Sequence, residues 1–105
     1  MPPEDAMLRE RTRILRGRIL TVLSMFRSKD IEAVQFTQLE ALLRDHRRDE
    51  IETQCGYLIE KGYAADATGR LDNRDRRDVE AVRITTNGID LVEGTIADNG
   101  VVFGS

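Results

Sequence analysis

Absences in this chain narrow its function first. It has a single cysteine, Cys55, so no internal disulfide framework can form, and a lone thiol fits a reducing cytoplasm. It also has a single histidine, His46, and a metal sensor needs a cluster of Cys or His ligands that this chain cannot build. No apolar run approaches the roughly 20 residues that span a bilayer. The opening Met-Pro-Pro-Glu-Asp lacks the basic and apolar regions of a signal peptide. There is no internal repeat and no low-complexity segment. An excess of positive charge is missing too: the net charge is −3, so any attraction to nucleic acid must come from local basic patches. These absences predict a cytoplasmic protein with no cofactor, no metal and no membrane attachment.

What is present suffices for one domain. In 105 residues, 40% are hydrophobic, which favours a globular chain with one core over a disordered one. A long first helix is predicted from about Glu4 to Arg27. Leu8, Leu15, Ile19, Val22 and Phe26 line one face of it, with Leu23 at the edge. Met7, Ile14 and Met25 form a second, thinner apolar line, interrupted by Arg11 and Arg18. One line packs the helix onto its own domain; the second widens that core face or meets a second copy of the chain. Gly17 weakens the helix by about 1 kcal/mol relative to Ala and allows a bend or a close approach.

Beyond Asp30 the periodicity lapses, and residues 31–36 read as an irregular or briefly extended connector. Thr37 and Glu40 have capping-box spacing for a short second helix ending near Asp45, with Leu39, Leu42 and Leu43 on its buried side. After a turn at His46 and Arg47 comes a third helix. Asp49 with Glu52 has N-cap spacing, although Arg47 ends the turn more naturally. Ile51, Cys55, Leu58 and Ile59 face inward, and Gly62 is a fitting C-terminal cap. Tyr63 and Ala64 start a strand, residues 66–78 form a polar tip, and residues 79–84 alternate as a second strand. Thr85 is placed to cap a fourth helix, residues 86–93, closed by Gly94. Ile89 and Leu91 or Val92 would turn inward. The division is a domain at 1–94 and a tail at 95–105, with a turn at Asp98-Asn99-Gly100 and an apolar Val101-Val102-Phe103.

Helix, helix, helix, hairpin and helix in this order predict a mainly α fold with a small β-hairpin, a winged helix-turn-helix. The stretches DEIETQCGYLIEKGYA and VRITTNGIDLVEGTIADNGV resemble the small winged-helix proteins of Mu-like phages and prophages. The resemblance covers Asp49 to Val101, and its most specific part is the run Thr85, Gly88, Asp90 and Gly94. The chain departs from that pattern at Tyr57, where Trp is common, and in the tail, which lacks the usual Arg and Pro. Similarity at fold level extends to repressors of the ArsR and MarR type. The resemblance implies a phage or prophage context for the fold, without a mechanism.

Catalysis finds no constellation to carry it. Cys55 falls on the inward face of its helix, where a thiol behaves as a small inert hydrophobe. His46, beside Arg47 and Arg48, reads as a solvated turn residue. The chain is therefore expected not to be an enzyme. For a transcriptional regulator that binds double-stranded DNA, the candidate contacts begin with Arg47 and Arg48 at the helix start, where phosphate is favoured. Glu50, Thr53, Gln54 and Tyr57 would face the bases, with Glu50 able to accept from a cytosine amino group. Arg70, Arg74, Arg76 and Arg77 on the wing would clamp the backbone. Against this stand Asp49, Glu50, Glu52 and Glu60 on the same helix, because phosphate affinity comes from Lys and Arg. The alternative is an interaction module, a homodimer in a phage regulatory or assembly complex with a phage or host protein partner. In either case the chain is expected to form a homodimer, with Met7, Ile14, Met25, Val101 and Phe103 as the interface candidates.

Overall fold

The computed structural model describes residues 3–68 and 80–103. Helix α1, Pro3–Ser28, is the longest element. It packs against three partners introduced below: helices α3 and α4 and strand β3. That is why its buried strip, Leu15, Ile19, Leu20 and Leu23, is wider than a single stripe. Leu20, off the apolar line read from the sequence, is fully buried, whereas Leu8, on that line, is 60% exposed. Periodicity fixes the side of a helix that is apolar, but not where along its length the rest of the molecule stops.

The helix ends in a Schellman turn. Asp30 takes a left-handed conformation at φ 64°, one of the few side-chain types that does so readily. The amides of Asp30 and Ile31 donate back to the Arg27 and Phe26 carbonyls at 3.0 and 2.9 Å. The chain then extends as β1, Val34–Gln35. This short strand pairs antiparallel with β3, Ala81–Ile84, setting Val34 opposite Val82. Strand β2, Ala64–Asp66, pairs with the other edge of β3, setting Ala64 opposite Ile84. The result is a three-stranded antiparallel sheet in the order β1-β3-β2, one strand more than the hairpin expected.

Helix α2, Phe36–Leu42, follows β1 without a loop. Its cap is therefore Gln35, two residues before the expected Thr37: the Gln35 amide donates to Gln38 Oε1 at 2.9 Å. The strand sets this start, since the Phe36 amide still donates to the Glu80 carbonyl at 3.2 Å. Leu39 and Leu43 are buried, whereas Leu42, expected beside them, is exposed. Helix α3, Arg48–Glu60, is capped at Arg47, with the Arg47 amide donating to Glu50 Oε1 at 3.1 Å. Ile51, Cys55 and Leu58 are buried as the spacing predicts, but Ile59 is exposed because the buried arc of α3 closes at Leu58. Gly62, at φ 83°, ends α3 in a second Schellman turn.

Helix α4, Thr86–Val92, has Thr85 as its cap: Thr85 Oγ1 accepts from the Gly88 amide at 3.1 Å and donates to the Gly62 carbonyl at 2.5 Å. Residues 95–103 pack onto the helices. Val101 is buried in the core, and the Val102 amide donates to the Arg13 carbonyl at 3.0 Å. A Cβ on Gly17 would collide with the Val102 carbonyl, so the close approach that Gly17 permits is made by the segment around Val102. Among the described residues, no helix is long and apolar enough to cross a membrane.

Candidate functional site

Helix α3 carries most of the candidate contacts, and the structure divides them between two faces. Glu50, Gln54 and Tyr57 form a row at helical spacing that turns toward α1 and is only partly exposed. Besides the Arg47 amide, the Glu50 carboxylate takes Arg11 Nε at 3.4 Å and stands 3.6 Å from His46 Nδ1. The Arg47 amide first, and then Arg11, hold Glu50 below the usual glutamate range. Gln54 Oε1 accepts from Arg16 Nε at 2.8 Å. The Arg16 guanidinium lies 3.5 Å from the centre of the Tyr57 ring and donates to the Gly100 carbonyl at 3.0 Å.

Tyr57 had been placed outside; it is half-buried against the core. Only Thr53 of the expected base-facing set stands on the open face, and its hydroxyl donates to the Asp49 carbonyl at 2.8 Å. The rest of that exposed face is Asp49, Glu52, Gly56, Ile59 and Glu60. The two arginines at the helix start are held in ion pairs. Arg47 lies 3.3 Å from Asp49, and Arg48 bridges Glu52 at 3.0 Å and Glu80 at 3.2 Å. Arg70, Arg74, Arg76 and Arg77 lie outside the described residues.

His46 is buried, with its side chain 3% exposed, not solvated as the basic turn around it suggests. The turn folds under α1, where Arg18 donates to Asp45 at 2.8 Å and lies 3.3 Å from His46 Nε2. A guanidinium only donates, so Nε2 accepts and the ring proton sits on Nδ1, which has no hydrogen-bond partner among the described residues. Arg18 also holds the Asp45 carboxyl below the usual aspartate range. The signal for this network was in the sequence: Arg11 and Arg18, which interrupt the second apolar line of α1, sit where that line crosses the α2–α3 turn.

That second line is split in the same way. Met7 and Met25 are 71% and 56% exposed, Ile14 is half-buried, and Phe103 is 39% exposed. Val101, grouped with them, is buried within its own chain and has no surface to offer a partner. Met7, Leu8 and Ile14 border an open groove of about 710 Å³ between the first half of α1 and Asp45–His46. Cys55 is sealed in the core, and burial pushes its thiol up to about 12. Among the described residues, no group of three His, Cys, Asp or Glu side chains could hold a metal ion. Compared with family models, with curated proteins and with solved structures, the chain matches none.

Proposed function

We propose that this chain is a non-catalytic winged-helix module that docks a protein, and that α3 does not read base pairs. Support for the winged-helix reading is the element order α1-β1-α2-α3-β2-β3-α4, with α2 and α3 joined by the short turn 43–47 and β2 and β3 paired antiparallel. The observation that carries the functional reading is the open face of α3, with Asp49, Glu52 and Glu60 and, among the described residues, no cation on it outside an ion pair. In a major groove that face would meet phosphates. Two like unit charges 4 Å apart repel by about 4 kcal/mol at an effective dielectric near 20. Of the residues expected to read bases, Glu50, Gln54 and Tyr57 are engaged by Arg11 and Arg16, and only Thr53 stays on the open face. The likeness to proteins of Mu-like phages suggests a phage regulatory or assembly complex as the setting, with a basic surface on the partner.

A second reading is favoured by one observation in the sequence, the arginines at 70, 74, 76 and 77. A wing of that composition would grip the DNA backbone without help from α3, as a transcriptional regulator requires. A salt-titrated binding assay with random duplex DNA separates the two. Docking to protein predicts no affinity stronger than the weak end of non-specific binding, a Kd of about 0.1 mM at physiological salt. Tighter binding that falls steeply with salt, and that is lost on charge reversal of Arg76 and Arg77 together, would overturn it in favour of the regulator.

A further inference from the structure

We propose that the groove beside α1 receives α1 of a second copy, antiparallel, with the two-fold axis passing between Glu10 and Arg11. The motive is an uncovered helix. Residues 6–10 are exposed on every side of α1, and among the described residues only the Arg11 side chain ties these first turns to the rest of the chain, through Glu50 and the Asp45 carbonyl. Helices in proteins owe most of their stability to tertiary packing of an apolar face. Here the apolar face is present, as Met7, Leu8 and Ile14, with the groove beside it.

Charge chooses the direction and the register. Glu10 borders the groove and makes no ion pair or hydrogen bond among the described residues, while Arg11 stands next to it. A parallel pairing in register would set Glu10 on Glu10 and Arg11 on Arg11, a repulsive arrangement. In an antiparallel pairing about an axis between them, opposed residue numbers sum to 21. Met7 then meets Ile14 of the other copy and Glu10 meets its Arg11, and symmetry repeats both contacts. Arg11 keeps its own Glu50 and Asp45 contacts and adds the partner's carboxylate to the network. An axis half a heptad on, at Ile14, would keep only the Ile14 pair apolar: it would bring Met7 onto Thr21 and Glu10 onto Arg18, which already holds Asp45.

This register also sorts the exposed apolar residues. Met25 lies 18 positions beyond Met7, about 27 Å along the helix at 1.5 Å per residue, so it is outside the contact. Phe103 does not border the groove, and Val101 is already buried. The dimer surface is therefore Met7, Leu8, Glu10, Arg11 and Ile14. It is separate from the open face of α3, so the duplex titration and the test below can fail independently.

The test uses the full chain. Light scattering at high micromolar concentration should give a dimer, and Met7→Asp, at an exposed site, should give a monomer with an unchanged circular-dichroism spectrum. Glu10→Arg should weaken the dimer roughly tenfold, since two attractive pairs become repulsive ones. With a short bismaleimide, Glu10→Cys should cross-link between copies, while Ser28→Cys at the far end of α1 should not. A monomeric wild type, a dimer that survives Met7→Asp, or faster cross-linking through Ile14→Cys than through Glu10→Cys would each overturn the proposal.

Discussion

At Tyr63 one hydrogen bond ties two regions of the chain and makes its stability depend on pH at both ends of the scale. The Tyr63 hydroxyl donates to Asp98 Oδ2 at 2.6 Å, and Lys61 Nζ lies 3.4 Å from the same carboxylate. The Tyr63 hydroxyl first, then the Gly100 amide and Lys61, hold the Asp98 carboxyl below the usual aspartate range. A depressed carboxyl contributes stability above its unfolded pKa of about 3.9 and loses it as pH falls through the folded value. Tyr63 shows the opposite case. The Asp98 bond, and then burial, raise its pKa from 10.0 to about 12. Its contribution is complete below pH 10 and disappears as pH rises toward about 12. Urea midpoints measured across the pH range should therefore fall at both ends for the wild type. Asp98→Asn should lower the plateau and flatten both limbs. Equal midpoints at neutral and strongly alkaline pH in the wild type would mean that the bond contributes nothing.

Elements are bound to one another here by contacts that helical periodicity does not encode. The segment 95–103 is the clearest case. Its Val101 is buried, and its Val102 crosses α1 at Gly17. Gly17→Ala should thus act with opposite signs in two contexts. In the full chain the new methyl displaces the Val102 carbonyl and lowers the melting temperature, despite the better helix former. In a chain ending at Gly94 the same substitution should stabilise α1 by about 1 kcal/mol, the ordinary helix preference of Ala over Gly. Thermal unfolding of the four proteins gives both signs; a gain in both contexts would show that the segment does not hold α1. The same distinction explains how much could be read beforehand. Thr85, Gly62 and the inward set Ile51, Cys55 and Leu58 were legible because caps and apolar spacing are local. Strand β1 was not, since two residues become a strand only when β3 lies beside them. Glu50, Gln54 and Tyr57 look outward on α3 taken alone. They are covered because the first half of α1 passes over them, and only its arginines hinted at that.

For the whole molecule, the dimensions of 50 × 29 × 23 Å describe a long body, and α1 is its longest element. If a second copy covers the start of α1, folding and association are linked by mass action. The melting temperature should then rise with protein concentration in the wild type and stay constant in Met7→Asp; parallel behaviour of the two would remove the link. The sealed thiol makes the underlying opening measurable without any added label. Cys55 is 1% exposed, in the core where α1, α3 and the sheet meet, and it is the chain's single thiol. A disulfide reagent can reach it only when the core opens. The rate of its colour reaction under native conditions is therefore a clock for excursions out of the folded state, and its slowing at higher protein concentration would time the dimer's grip on the fold.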